Sequence, residues 1–273
     1  MTRFVVNKTN RTWRTGQTKI QKTMKENQAR RKSGETLDAL FDGAVKLFQS
    51  RAGYRFSLDA LLLAHFATLK RRDKVVDLGT GSGVIALILA RLHPEISILG
   101  VEYQSALAAR AARNVKLNRL ERRIALWRGD VRAAASIGPA ESFDAAVCNP
   151  PYRRRSAGRI SANDEKQIAR HEIHGELGDF VAAAAYLLGA KGRLAMVYWA
   201  ERTVDLLSSL RRARLEPKRL RLVHSFVDSE ASLILVEAVK QGRSGVTILP
   251  PLVVYREGKH YSDEVAAMIA GKA

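Results

Sequence analysis

The sequence predicts an α/β fold, a mostly parallel sheet with helices on both faces and an antiparallel hairpin at its close. Three observations lead there. Short apolar runs alternate with longer helical ones through most of the chain, the pattern of repeated βα units. Four of those runs stop at residues suited to ligand binding: a glycine-rich turn, Glu102, Asp130 and Asn149. The last two runs are too close for a helical crossover, so they pair antiparallel.

The elements follow in order. Residues 1–35 read as a flexible, strongly basic extension and 36–273 as one folded domain. Ser57 can cap a helix reaching Leu69, with Leu58, Leu61, Leu62 and Phe66 on one face. Strands are expected at Lys74–Leu78, Ile96–Val101, Ile124–Trp127, Phe143–Cys148 and Arg193–Tyr198, and closing strands at Arg219–His224 and Ser232–Val239. Helices are expected at Val84–Leu92, Ser105–Leu117, Phe180–Leu188 and Val204–Arg212. Arg110, Arg113, Lys116 and Arg119 fall at helical spacing and read as a solvated face.

Composition narrows the function. The 273 residues carry 46 Lys+Arg against 27 Asp+Glu, a formal net charge of +19. Such an excess favours a polyanionic partner, because phosphate neutralisation releases counterions. Cys148 is the only cysteine, so no intrachain disulfide forms, which suits the reducing cytoplasm. No apolar run is long enough for a transmembrane helix, and no membrane partner is expected.

The first strand ends in Gly79-Thr80-Gly81-Ser82-Gly83. Glycines there let the backbone turn tightly and approach a ligand, but the spacing is not that of a dinucleotide fingerprint. Glu102 ends the second strand, where a carboxylate can accept from both hydroxyls of a ribose. Asp130 follows the third, where it can accept from an adenine amino group or cap the next helix. Together they suit a nucleoside with an amino-acid tail, although a nicotinamide enzyme would also carry the acid.

Asn149-Pro150-Pro151-Tyr152 follows the fourth strand, 70 residues after Gly79. Two prolines fix the backbone, so the Pro150 carbonyl is presented rigidly beside the Asn149 side-chain carbonyl. Two acceptors converging on a planar NH2 can bind both of its hydrogens. Tyr152 offers a face for a base to stack on. Arg153, Arg154, Arg155 and Arg159 come next and could grip phosphates, or form a solvated loop.

Val75 through Gly83 resembles the first motif of the class I, Rossmann-like methyltransferases, and Asn149–Tyr152 the signature of those that modify an amine. More narrowly, Gln49–Asp59, Ala169–Glu172 and Leu249–Tyr255 resemble the bacterial tRNA(Val) N6-adenine methyltransferases. The resemblance implies a seven-stranded Rossmann-like sheet and S-adenosylmethionine as cofactor, leaving as S-adenosylhomocysteine. It implies a tRNA substrate methylated at the adenine beside the anticodon. Carried over, Asp77, Gly79, Thr80, Gly81, Gly83, Glu102, Tyr103, Asp130, Val131 and Asn149 would hold the cofactor. Arg55, Phe56 and Ser57 would close its pocket. Asn149, Pro150, Pro151 and Tyr152 would be catalytic.

His171-Glu172-Ile173-His174 lacks the histidine spacing of a zinc helix, and no metal is expected. A glutamine-amide methyltransferase acting on a protein shares the Asn-Pro-Pro-Tyr logic and stays open as an alternative. So does a non-catalytic RNA-binding protein on the same fold. The sequence does not address the oligomeric state.

Overall fold

The computed structural model describes residues 32–51, 58–151 and 175–272. An antiparallel hairpin comes first, β1 (Glu35–Leu40) and β2 (Val45–Ser50). After α1 (Leu58–Phe66) the chain alternates: β3 (Lys74–Leu78), α2 (Val84–Leu92), β4 (Ser97–Glu102), α3 (Ser105–Leu117), β5 (Ile124–Arg128), α4 (Ala134–Ile137), β6 (Phe143–Cys148), α5 (Leu177–Leu187), β7 (Leu188–Trp199), α6 (Thr203–Arg212), β8 (Leu215–His224) and β9 (Ala231–Lys240). Short strands β10 (Thr247–Ile248), β11 (Leu252–Val253), β12 (Tyr255–Glu257) and β13 (His260–Tyr261) lead into α7 (Asp263–Ile269).

The main sheet runs β5-β4-β3-β6-β7-β9-β8, with β10 and β11 adding two residues each to the outer edge of β8. All its long strands are parallel except β9, which lies antiparallel between β7 and β8. The seven expected strands, the closing hairpin and the helices on both faces are therefore present.

Period-two alternation builds two cores from one sheet. Val75, Ala145, Val147, Ala195 and Val197 face one core, which packs α1, α2 and α7 together with Phe41 and Leu47 of the amino-terminal hairpin region. Val76, Leu78, Ala146, Cys148, Leu194 and Met196 face the other, under α4, α5 and α6. From Val75 to Leu78 strand β3 is buried on both faces, so after the exposed Lys74 it reads as an apolar run with Asp77 as its one polar residue.

The structure revises three expectations. The first helix stops at Phe66 rather than Leu69, and β7 and β8 begin earlier, at Leu188 and Leu215. The β1–β2 hairpin had no counterpart in the sequence reading. Arg110 and Arg113 are not a solvated face: both donate to the buried Glu35 of β1, Arg113 through two bonds of 2.9 and 2.6 Å. The Arg113 guanidinium also lies 4.6 Å from the Phe48 ring centroid. The two cations hold the Glu35 carboxyl down at about 2 against burial, which pulls the other way. Among the described residues no helix is long and apolar enough to cross a membrane.

Candidate active site

Ligands of a parallel sheet bind beyond the carboxyl ends of its strands, and the register brings the candidate residues to that edge. Leu78 pairs with Val101 on one side and with Cys148 on the other. Glu102 pairs with Arg128 one strand further out. Gly79 and Asn149 are the next residues of adjacent strands, so the glycine turn and the Asn-Pro-Pro segment leave the sheet side by side, about 5 Å apart.

The turn is shaped by its own hydrogen bonds. The amides of Gly79 and Thr80 both donate to the Val101 carbonyl at 2.9 Å, and Gly83 donates to Thr80 at 2.8 Å. Gly79 sits at φ +76°, and a Cβ there would come 3.1 Å from the Phe180 ring of α5. The left-handed backbone and the ring together require glycine. At Gly83, φ +84°, a Cβ would press on Ala111 of α3 at 3.3 Å.

Asp77 lies fully buried beneath the turn. Its Oδ2 accepts from the Thr80 hydroxyl at 2.6 Å, while the buried Oδ1 has no hydrogen-bond partner among the described residues. Burial pushes the carboxyl up to about 7; the Thr80 hydroxyl and the Ala86 amide oppose the rise and the charge of Glu102 adds to it. An ammonium brought to Oδ1 would satisfy it and restore the ionised form.

Glu102 is buried with its oxygens divided: Oε2 accepts from the Gly81 amide at 2.9 Å and Oε1 from the Gln104 amide at 2.7 Å. Burial raises its pKa, against the pull of these amides. A carboxylate offers about four lone-pair sites, and the Gly81, Gln104 and Tyr103 amides leave capacity for a hydroxyl donor. Beside it opens a cleft of about 560 Å3 lined by Tyr103, Gln104, Ser105, Arg128, Gly129 and Asp130. That volume is in the range of a nucleoside pocket. Asp130 caps the short helical turn that starts at Val131, accepting from the Arg132 amide at 2.9 Å, and pairs with the Arg132 guanidinium at 2.6 Å. Val131 is buried behind it.

On the acceptor side, Asn149 is half-buried, Pro150 buried and Pro151 exposed. Cys148 is buried in β6, and burial raises its thiol pKa far above the ordinary range, which leaves it no nucleophilic role. Arg55, Phe56, Ser57, Tyr152, Arg153, Arg154, Arg155 and Arg159 lie outside the described residues, as do the arm up to residue 31 and the segment around His171.

Two residues of the site escaped the sequence reading. One is Phe180, which packs on Gly79. The other is Asn114 of α3, fully buried, whose amide group donates to Ser82 O of the glycine turn at 2.9 Å. The same side chain accepts from Phe48 N and donates to Phe48 O, at 2.7 and 3.2 Å, like one rung of a β-ladder. Asn118 repeats the contact with both backbone groups of Lys46. An asparagine on the buried stripe Ala111, Asn114, Val115 was the available signal.

Comparison with known proteins agrees with this geometry. The methyltransferase small domain family matches residues 58–213, more than half of the chain. A Porphyromonas gingivalis protein named tRNA1(Val) (adenine(37)-N6)-methyltransferase is 31% identical over 196 residues, covering 69% of this chain and 76% of its own length. A protein of the same name from Actinobacillus succinogenes is 31% identical over 216 residues, covering 78% and 88%. Among solved structures, an Agrobacterium tumefaciens protein described as a predicted O-methyltransferase has the same fold, with a TM-score of 0.66 at 23% identity over 79% of this chain and 97% of that one. With a glycine turn, an acid after the second strand and an Asn-Pro-Pro segment meeting at one sheet edge, the chain belongs to the methyltransferase small domain family of S-adenosylmethionine-dependent enzymes.

Proposed function

We propose that the protein methylates N6 of an adenine in tRNA, the adenine beside the anticodon of tRNA(Val). The observation that carries the reading is the pairing of Leu78 with Cys148 at the ends of neighbouring strands, from which the glycine turn and the Asn-Pro-Pro segment leave the sheet together. The names of the relatives supply the substrate, and the net charge of +19 suits an RNA partner.

Three features support a place for the cofactor: a buried carboxylate oxygen at Asp77 without a hydrogen-bond partner among the described residues, the positive-φ glycines of the turn, and Glu102 directly before the cleft-lining Tyr103 and Gln104. Asp77 would hold the ammonium end, Glu102 the ribose hydroxyls, and Tyr103, Asp130 and Val131 the adenine. Thr80 and Gly81 would line the turn, and Arg55, Phe56 and Ser57 would close the pocket, as the resemblance implies. When bound, S-adenosylmethionine supplies an electrophilic methyl on a sulfonium.

The acceptor side needs to hold a planar amine. The Asn149 side-chain carbonyl and the Pro150 main-chain carbonyl accept its two hydrogens, with Pro151 fixing the backbone behind them. Both hydrogen bonds return electron density to the nitrogen. Tyr152 stacks on the base, which must leave its own stack to reach the site. Positioning supplies most of the acceleration, and no strong general base is needed, because the proton becomes acidic only as the N–C bond forms.

Asn149→Ala tests the role directly. S-adenosylmethionine binding, read by calorimetry, is expected to stay within a few-fold, while the methylation rate on a tRNA transcript falls by about a hundred-fold or more. A variant that still turns over at the wild-type rate would remove Asn149 from the reaction.

A further inference from the structure

We propose that the end of the sheet opposite the methyl-transfer edge is a second RNA contact, a docking surface for the phosphate backbone of a folded RNA; this rests on the RNA reading above. Strands β3 through β8 are mutually parallel, so the loops that enter them share one end, away from Gly79 and Asn149. The two ends are separated by roughly one strand length, about 20 Å, within the span of a single folded RNA.

Two independent features mark this end. The first is charge left over after local pairing. Four of its acids are engaged: Asp73 with Arg193 at 2.5 Å, Glu141 with Lys240 at 3.0 Å, Glu216 with Arg211 at 3.2 Å, and Glu95 with Arg71. Two more are exposed and offset part of the charge: Asp144, which accepts from the Lys74 amide, and Glu121, which lines the same cleft as Arg122. Lys74, Arg119, Arg122, Lys191 and Arg214 are exposed and have no ion-pair partner among the described residues; Arg72 reaches Glu95 only at 3.8 Å. Lys74 and Arg122 line a cleft of about 400 Å3 between the starts of the central strands. An excess of unpaired cations around a cleft suits the phosphate backbone of a folded RNA.

The second feature is backbone conformation. Among the described residues, six other than glycine at this end stand in the left-handed region: Arg72, Arg119, Lys191 and Arg214, at φ +65°, +58°, +60° and +56°, with Glu141 at +60° and Gln241 at +54°. Arg119 and Arg214 follow the last turns of α3 and α6, where glycine would end the helix without strain. Helix dipoles account for cations within a last turn, such as Arg91, Arg211 and Arg212, but ask for no arginine in a strained position. Four of these six positions carry cations where glycine or asparagine is cheaper, which points to a use for their charge.

The test is a quadruple variant, Arg72→Asn, Arg119→Asn, Lys191→Asn and Arg214→Asn, beside a control with Lys at the three arginine positions. Binding of a tRNA transcript is measured against salt, with melting temperature and binding to phosphatidylserine vesicles. The Asn variant is expected to melt no lower than wild type, to bind the transcript about ten-fold more weakly near 0.1 M salt, and to lose about two to four from its salt slope. The Lys control should match wild type. Unchanged affinity and slope in the Asn variant, equal weakening in both variants, or a loss confined to vesicles would overturn the proposal. Methylation of the transcript by the wild type is read in parallel. A wild type that binds through these cations but transfers no methyl would sink the functional reading while leaving the docking surface standing.

Discussion

Replacing Asp77 by asparagine removes a carboxylate that the fold buries completely beneath the glycine turn. Burial lifts its pKa from an ordinary 3.8 to about 7. Between those two points the folded state keeps a proton that the unfolded chain has already lost, so stability falls as pH rises. The slope is about 1.4 kcal/mol per pH unit, which comes to about 4 kcal/mol across the window. Below the window there is no penalty; above it both states are ionised and the penalty is constant. Asparagine has nearly the same shape, can still accept from the Thr80 hydroxyl, and cannot ionise. The ligand-free variant should therefore gain about 2–4 kcal/mol over wild type near pH 8 and less than about 1 kcal/mol near pH 4.5, measured by urea unfolding at both. An equal gain at both pH values, or a loss near pH 8, would refute the reasoning. The same carboxylate is the proposed seat of the cofactor's ammonium group. Wild-type affinity for S-adenosylmethionine should then rise with pH toward about 7 and fall again as the ligand's α-ammonium deprotonates near about 8. The variant, more stable but unable to neutralise the ammonium, should bind more weakly and without that rise.

Two further outcomes concern the amino-terminal hairpin. Glu35→Gln breaks the pair with Arg110 and Arg113 and should cost about 1–3 kcal/mol near neutral pH by urea unfolding. Because this carboxyl sits at about 2 in the folded state, against an ordinary 4.5, its contribution is complete above about 4.5 and lost as pH falls toward 2; a variant gap that does not close on acidification would contradict the pairing. Asn114→Ala strands buried backbone groups of Phe48 and Ser82 and should cost about 3 kcal/mol or more, together with a measurable loss of S-adenosylmethionine affinity. The half-buried Asn118→Ala should cost about 1 kcal/mol and leave cofactor binding alone, and an Asn114 variant no worse than that would remove its link to the turn.

What could be read in the sequence was what repeats locally. The runs at Lys74–Leu78 and Phe143–Cys148 and the helices at Val84–Leu92 and Ser105–Leu117 appear with the expected bounds, since period and flanking residues agree there. The glycine turn, Glu102 and Asn149 were legible because each ends a strand, and strand ends are where this fold collects ligands. The hairpin was not, because β1 shows no clean alternation, Glu-Thr-Leu-Asp-Ala-Leu, and its anchor is an ion pair with residues 75 and 78 positions away. The same distance made Arg110 and Arg113 look like a wet helix face. Strand β7 was read too short because Gly189, Lys191 and Gly192 look like a turn, and Lys191 does adopt a left-handed backbone. Of the two roles expected for Asp130, the cap is present: its side chain accepts from the Arg132 amide at the start of the next turn, while the residue also lines the cleft.

The most direct measurement is mass spectrometry of nucleosides from tRNA and rRNA of a strain lacking this protein, with the modified fragment mapped. The expected result is loss of N6-methyladenosine from one tRNA(Val) anticodon-loop fragment, restored by the wild-type protein and not by Asn149→Ala. An unchanged nucleoside profile, with a methylated glutamine missing from a protein instead, would contradict RNA as the substrate.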